Sequence, residues 1–153
     1  MANTYASLYI HVIFGTKNRE KLIPREIEAR VWAYLGGISR ENRFTAMSIG
    51  GIENHVHLLI SVPPNLTVSK AVQLLKGASS HWIKETFPRI PEIKQFAWQD
   101  GYGAFSVSKS QLEDVRRYIE GQREHHRVKT FEEEYRAFLA KHEIASDERY
   151  IWG

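Results

Sequence analysis

The chain has 153 residues with 21 Lys and Arg, 18 Asp and Glu and no Cys, which gives a formal net charge of +3. That length predicts a single domain over residues 1–153, and the missing Cys excludes disulfide bonds, thiolate zinc sites and a cysteine nucleophile. The small positive surplus permits a nucleic-acid partner without requiring one, and the lack of a signal pattern or long apolar span predicts a cytoplasmic protein.

Hydrophobic periodicity predicts, in chain order, a strand, a helix, two strands, a helix, a strand and two helices. The strands cover residues 5–14, 44–52, 55–62 and 95–108. The helices cover residues 24–42, 67–87, 110–126 and 131–142. Pro24 and Thr67 favour the starts of the first two helices. Capping-box patterns open the last two, at Ser110 with Glu113 and at Thr130 with Glu133.

This βαββαβ order followed by two helices predicts an α+β fold, a ferredoxin-like or RRM-like sandwich with one layer of sheet. One face of the sheet packs on helices, and the other is predicted to be open, where a ligand or the extra helices would meet it. The first and third strands direct these residues to that open face: Tyr5, Ser7, Tyr9, His11, His55, His57, Leu59 and Ser61. The open face is therefore the candidate site.

Two histidines alternate on the third predicted strand, His55 and His57. Side chains two residues apart on a strand share one face and stand roughly 7 Å apart, so two tilted imidazoles can share a metal ion. Two such histidines in an arbitrary protein are more often surface groups held by water or hydrogen bonds. A metal site therefore needs a third ligand.

One flank of the helix predicted over 110–126 carries Tyr118, Gln122 and His125 at helical spacing. A tyrosine one turn before a glutamine can present its phenol oxygen beside a metal that the amide oxygen ligates. Taken alone, Tyr118 is much better explained as a residue at a packing boundary and Gln122 as plain helix surface. The pairing with two strand histidines favours a three-ligand site with open positions for phosphate oxygens.

These motifs resemble the HUH single-tyrosine transposases of the insertion-sequence 200/605 group, and the resemblance covers nearly the whole chain. The histidine pair is followed some 60 residues later by a helical Tyr-x-x-x-Gln. Further matching segments are His11 to Phe14 with Thr16-Lys17, Leu75-Lys76-Gly77, Trp98 with Gly101-Tyr102, Ser106-Val107, and Asp147 to Tyr150 with Trp152. The chain departs from the family pattern at Asn54, where Asp is usual, and at Ser146, where an aromatic residue is frequent.

The resemblance implies that Tyr118 attacks a phosphodiester of single-stranded DNA and forms a 5′-phosphotyrosine and a free 3′-hydroxyl. It implies that His55, His57 and Gln122 bind a divalent metal, Mg or Mn, although two imidazoles by themselves suit Zn, Mn or Co better than Mg. The implied partner is a DNA hairpin at the ends of a mobile element. The family also implies a homodimer in which Tyr118 completes the site of either its own subunit or the other.

Other residues are weaker candidates. His11, Asn54 and His125 are candidates for support of the site. The candidates for DNA contact are Lys76, Arg116, Arg117, Arg123 and Arg127. Because acidic residues alternate with these arginines, a solvated helix face with internal ion pairs explains them equally well.

Two other functions compete with DNA strand transfer. A non-catalytic or domesticated module that binds single-stranded nucleic acid would use the same sheet face, but it has no need of a nucleophile and three ligands. A histidine-triad-like nucleotide hydrolase needs a further His two residues after His57, where the chain has Leu59. The transposase remains the leading hypothesis.

Overall fold

In the computed structural model, which describes residues 3–153, four strands form one antiparallel sheet. The strands are β1 (Tyr9–Gly15), β2 (Thr45–Ile52), β3 (His55–Ser61) and β4 (Gly103–Ser106). The helices are α1 (Arg25–Glu41), α2 (Val68–Thr86), α3 (Leu112–Glu120), α4 (Gln122–His125) and α5 (Phe131–Lys141). The spatial order β2-β3-β1-β4 is that of a ferredoxin-like sheet, so the predicted fold class is confirmed.

The first face of the sheet packs on α1 and α2. Strand residues of alternating position point to it, among them Val12 and Phe14 of β1 and Leu58 of β3. Leu35 of α1 and Leu75 of α2 are both buried against them. This large apolar core fixes the register of β1 on β3, in which Val12 pairs with Leu58 and Ile13 with His57.

The second face is covered by the three C-terminal helices, which is one of the two arrangements that the sequence predicts for it. Helix α3 crosses β2 and β3, and α4 contacts β2. Phe131 and Tyr135 of α5 form a second cluster with Ile13 and Phe105. The face that carries the histidine pair is therefore interior to the chain.

Strand boundaries differ from the prediction at both edges. The first strand begins at Tyr9 rather than at residue 5, because its neighbour β3 ends opposite Tyr9. Tyr5 is 91% exposed and lies on no strand. The fourth strand is shorter than 95–108, because a 3-10 turn over Pro91–Gln95 precedes it and Trp98 makes only an isolated bridge with Thr16.

Helix starts follow the capping predictions in two of three cases. The side chain of Thr67 accepts a hydrogen bond from Lys70 N, and Thr130 with Glu133 forms a complete capping box. The capping box predicted at Ser110 is wrong, because a 3-10 turn over Lys109–Gln111 places the start of α3 at Leu112. The helix predicted over 110–126 is divided into α3 and α4 at Gly121.

Within residues 3–153, no helix is both long enough and apolar enough to cross a membrane.

Candidate functional site

The sheet positions three histidines on its second face. His55 and His57 share that face of β3, and His11 of the adjacent β1 lies beside them. None of the three side chains is more than 3% exposed. The ring centroids of His55 and His57 are 5.1 Å apart, and His11 Nε2 lies 2.8 Å from His57 Nδ1.

The helices bring Tyr118, Gln122 and His125 to the same place. Gln122 is 1% exposed, and its Oε1 lies 3.0 Å from His55 Nε2. The amide of Gln122 donates to the carbonyl of Tyr118 over 3.3 Å, and the Tyr118 hydroxyl lies 3.3 Å from His125 Nε2. The structure thus brings the predicted nucleophile and the three predicted ligands into one buried cluster.

Two further residues of the cluster were not singled out as ligands by the sequence. Glu134 of α5 is 2% exposed, and its Oε1 lies 2.9 Å from His57 Nε2 and 3.4 Å from His55 Nε2. Its other oxygen accepts a hydrogen bond from the Tyr118 hydroxyl. His126 Nε2 lies 3.3 Å from Glu134 Oε1 and 3.0 Å from Gln122 Oε1.

A sequence signal for Glu134 exists. Phe131, Tyr135 and Phe138 form the apolar stripe of the last helix, and position 134 lies on that stripe. A carboxylate on an otherwise apolar face is costly to bury without a partner, so it marks a functional or paired group.

The chemistry of the donors fits a divalent metal ion. His55, His57, His126 and Glu134 each offer one ligand atom, and these four atoms all lie within 4.8 Å of one another. Imidazole nitrogen and carboxylate oxygen are ordinary ligands of divalent ions, and the Gln122 oxygen adds an amide ligand beside them.

Burial sets the protonation of the site. It lowers the pKa of His55 to about 4, so this imidazole is neutral near pH 7. Burial, the hydrogen bond to Glu134 and the charge of that carboxylate together raise the pKa of Tyr118 above its ordinary range. The phenol is therefore protonated unless a cation offsets these effects.

A cavity of about 320 Å³ opens beside the tyrosine. Tyr118 and His125 line it on one side, and Lys129 and Lys141 bring two positive charges to it. Phe138 and His11 form part of its wall. Asp114 and Glu134 also line it, so the tyrosine lies beside an open space of mixed charge.

The candidate DNA-contact residues lie in different surroundings. Arg123 forms ion pairs of 3.0 Å with both Glu28 and Glu53, which ties α4 to the rest of the fold. Lys76 donates to three carbonyl oxygens, those of Gln99, Asp100 and Gly101. Burial lowers the pKa of Lys76 to about 8. Both side chains therefore have structural partners within the chain.

The remaining three arginines lie on or near the surface. Arg117 pairs with Asp114 at 2.7 Å and Arg127 with Glu124 at 2.8 Å, both within one helix turn. Arg116 is half-buried on α3. The structure does not bring these arginines to the cavity beside Tyr118, whose lysines come from elsewhere.

Comparison with known proteins identifies the family. Residues 4–122 match the model of the family described as "Transposase IS200 like". The ISDra2 transposase TnpA of Deinococcus radiodurans is 28% identical over 117 residues, which are 75% of this chain and 84% of that protein. The transposase for insertion sequence element IS200 of Salmonella typhimurium is 26% identical over 127 residues, 81% of this chain and 82% of that protein.

Two solved structures have similar folds. A transposase crystal structure from Deinococcus radiodurans R1 has a TM-score of 0.64 at 26% identity and covers 80% of this chain and 95% of its own. The REP-associated tyrosine transposase bound to a REP hairpin has a TM-score of 0.54 at 13% identity and covers 78% of this chain and 68% of its own. Since the family model spans well over half of the chain, this protein belongs to the IS200-like transposases, which are enzymes.

Proposed function

We propose that the protein cleaves and rejoins single-stranded DNA through a covalent 5′-phosphotyrosine on Tyr118. The observation that carries this proposal is the contact between the phenol and a buried cluster of side chains that could hold a metal ion. His57 and Tyr118 have ring centroids 5.7 Å apart. Glu134 Oε1 lies 2.9 Å from His57 Nε2, and the other oxygen of Glu134 accepts a hydrogen bond from the Tyr118 hydroxyl. A tyrosine with only a packing role has no need of such neighbours.

His55, His57 and Gln122 would hold a divalent ion, Mg²⁺ or Mn²⁺. When bound, such an ion neutralises phosphate oxygens and the charge that develops as a phosphodiester is attacked. The Tyr118 pKa is raised above its ordinary range, so the phenol depends on that positive field to react near neutral pH.

The chain's own groups carry the proton and the covalent bond. As Tyr118 Oη bonds to phosphorus, its proton leaves along the hydrogen bond to Glu134 and passes on to solvent in the adjoining cavity. The bond from phosphorus to the 3′-oxygen breaks, and that oxygen leaves as a hydroxyl by taking up a proton from solvent. The reverse attack by a 3′-hydroxyl releases Tyr118, so rejoining needs no nucleotide cofactor.

The substrate is single-stranded DNA next to a hairpin at the element end. Lys129 and Lys141 line the cavity beside Tyr118 together with Asp114 and Glu134, and the two ammonium groups suit a phosphate backbone. One structural relative is a tyrosine transposase bound to a REP hairpin, which supports this class of partner. The family resemblance further supports a homodimer that works in the cytoplasm.

The test is the formation of a covalent adduct. The purified chain is incubated with labelled single strands from the DNA flanking its own gene, with Mg²⁺ or Mn²⁺, and then denatured. We expect a protein–DNA adduct that EDTA prevents and that Tyr118→Phe abolishes. Tyr150→Phe is the matched control, because Tyr150 is 71% exposed and lies outside the cluster, and it should leave the adduct unchanged.

The alternative function is a non-catalytic module that binds single-stranded nucleic acid. It predicts tight binding of the same strands without an adduct on either flank and with either metal. That result would replace strand transfer by simple binding.

A further inference from the structure

Five nitrogen and oxygen atoms converge at the centre of the buried cluster. They are the Nε2 atoms of His55, His57 and His126 with Gln122 Oε1 and Glu134 Oε1. Two of them, His126 and Glu134, lie beyond the part of the chain that matches the family, residues 4–122.

The hydrogen-bond partner of the outer nitrogen, Nδ1, shows why the inner nitrogen, Nε2, of two imidazoles carries a lone pair and no proton. His126 Nδ1 lies 2.6 Å from the carbonyl oxygen of Lys129, and His55 Nδ1 lies 2.8 Å from Asn54 Oδ1. Because these oxygens only accept hydrogen bonds, each ring places its N–H on Nδ1. The Nε2 atoms of both rings then point to the centre without a proton.

His57 has a different outer partner. Its Nδ1 lies 2.8 Å from His11 Nε2, which accepts a hydrogen bond when the His11 proton is on Nδ1, and its own Nε2 faces Glu134 Oε1 at 2.9 Å. Metal-binding imidazoles ordinarily donate their second N–H to such an outer acceptor. An amide oxygen, a carboxylate oxygen and three nitrogen lone pairs that face one another repel one another unless a cation lies among them.

The distances from Glu134 Oε1 and Gln122 Oε1 to the imidazole nitrogens suit a shared ion, and the four His and Glu ligand atoms all lie within 4.8 Å of one another. Two ligand atoms that are both about 2.1 Å from the same ion lie roughly 3.0 to 3.4 Å apart. Glu134 Oε1 lies 2.9, 3.4 and 3.3 Å from the Nε2 atoms of His57, His55 and His126. Gln122 Oε1 lies 3.0 Å from two of the same nitrogens.

We propose that His126 and Glu134 are additional metal ligands, and that the resulting five-donor cage binds Mn²⁺ in preference to Mg²⁺ before any DNA arrives. The inference rests on the proposed function, since it completes the metal site of that reaction. A six-coordinate ion in this cage keeps one position for a phosphate oxygen. The free oxygen of Glu134 continues to accept from Tyr118, which fixes the phenol beside the ion.

The donor set decides the metal preference. Mg²⁺ favours oxygen ligands and retains several of its waters, which three imidazoles do not replace well. Mn²⁺ accepts both nitrogen and oxygen ligands, and Co²⁺ and Zn²⁺ bind such sites more strongly still. A cage built entirely from one chain therefore retains a transition metal without help from a substrate phosphate.

The test is metal binding by the whole 153-residue chain without DNA. After removal of metals, calorimetric titration should show one Mn²⁺ per chain and much weaker Mg²⁺ binding. Glu134→Gln and His126→Asn should each weaken Mn²⁺ binding by about 10- to 100-fold. The matched controls are Glu132→Gln, a half-exposed side chain of α5, and His81→Asn, on the exposed face of α2, and both should bind Mn²⁺ normally.

A second measurement does not depend on the folding of variants. Pulsed electron paramagnetic resonance of Mn²⁺ bound to the unaltered chain resolves the nitrogens of its imidazole ligands. Detection of three imidazole ligands supports the cage, and detection of only two overturns it. Unchanged Mn²⁺ affinity in folded Glu134→Gln and His126→Asn also overturns it. The adduct assay with Tyr118→Phe does not depend on the number of imidazole ligands. A result that overturns the five-donor cage therefore leaves the strand-transfer proposal intact, and a missing adduct overturns strand transfer without bearing on the cage.

Discussion

His55 shows how the surroundings of one side chain determine its chemical state. Its ring stacks on Phe131 with centroids 4.2 Å apart, and Asn54 accepts its Nδ1 hydrogen. Asn54 stands where the family usually has Asp, yet its amide oxygen still provides the acceptor that orients the ring. The departure from the family pattern therefore preserves the hydrogen bond and removes a negative charge.

The lowered pKa of buried His55 predicts how the stability of the fold depends on pH. The pKa of His55 falls from 6.5 to about 4 on folding. As the pH is lowered, the unfolded chain therefore binds a proton at this histidine at a higher pH than the folded chain does. The free energy of unfolding should be highest above pH 6.5 and should fall as the pH drops from about 6.5 to about 4, by up to roughly 3 kcal/mol from this group. The pKa of His11 is also lowered, mainly by burial, and acts in the same direction.

Urea unfolding of the metal-free chain in EDTA, at pH 7.5 and pH 5, measures this loss. His55→Asn should reduce the difference between the two pH values, whereas His81→Asn, on an exposed helix face, should retain it. An equal pH difference in all three proteins would contradict the role of His55.

The sequence identifies some residues of the site and misses others for physical reasons. His55, His57, Tyr118 and Gln122 follow from spacing that is visible within one strand or one helix. Glu134 approaches them only through the packing of α5 on the second sheet face, a contact that local periodicity does not encode. The roles of all these residues stay predictions until the adduct and metal-binding experiments are done.

At the scale of elements, helix α3 depends on a glycine in the strand beneath it. A Cβ at Gly50 of β2 would collide with the carbonyl oxygen of Ile119. Ile119 is fully buried and directly follows Tyr118. The small residue thus allows the helix that carries the tyrosine to approach the sheet closely.

Two glycine substitutions should therefore have opposite effects. Gly50→Ala should destabilise the fold by about 2 kcal/mol or more and reduce adduct formation, because α3 must move away from β2. Gly77→Ala should stabilise the fold by about 0.5–1 kcal/mol, because Gly77 lies inside α2 with nothing within 4 Å of an added Cβ. Chemical denaturation of both variants checks the signs. Equal stability of Gly50→Ala and the unaltered chain would contradict the close approach.

The sequence predicts helix interiors and central strands better than element ends. The stripe over α2 and the alternation over β3 are strong because each element buries a whole face. The ends of β1 and β4 depend on where neighbouring strands stop pairing, and the start of α3 depends on a 3-10 turn. Those features arise from tertiary contacts, so local patterns misplace them.

At the scale of the whole molecule, the C-terminal segment closes the site from the same chain. Helix α5 provides Glu134, and the residues after it return to the body of the fold. The Arg19 guanidinium lies 4.4 Å from the ring centroid of Trp152, and the guanidinium of Arg136 on α5 lies 5.6 Å from the same centroid. These contacts hold the C-terminal segment over the second face of the sheet.

This closure predicts that Tyr118 acts on the metal site of its own subunit. In a mixed dimer of one Tyr118→Phe chain and one His55→Asn chain, the first chain keeps His55 and the second keeps Tyr118. Because Tyr118 bonds to the Glu134 that contacts its own chain's His57, we expect the mixture to form no more adduct than either variant alone. Light scattering must first show the proposed dimer, and exchange of tagged subunits must show that mixed dimers form. Adduct recovered in that mixture would mean that α3 crosses to the partner when DNA binds, since only a composite of two chains would then hold both the nucleophile and its metal ligands.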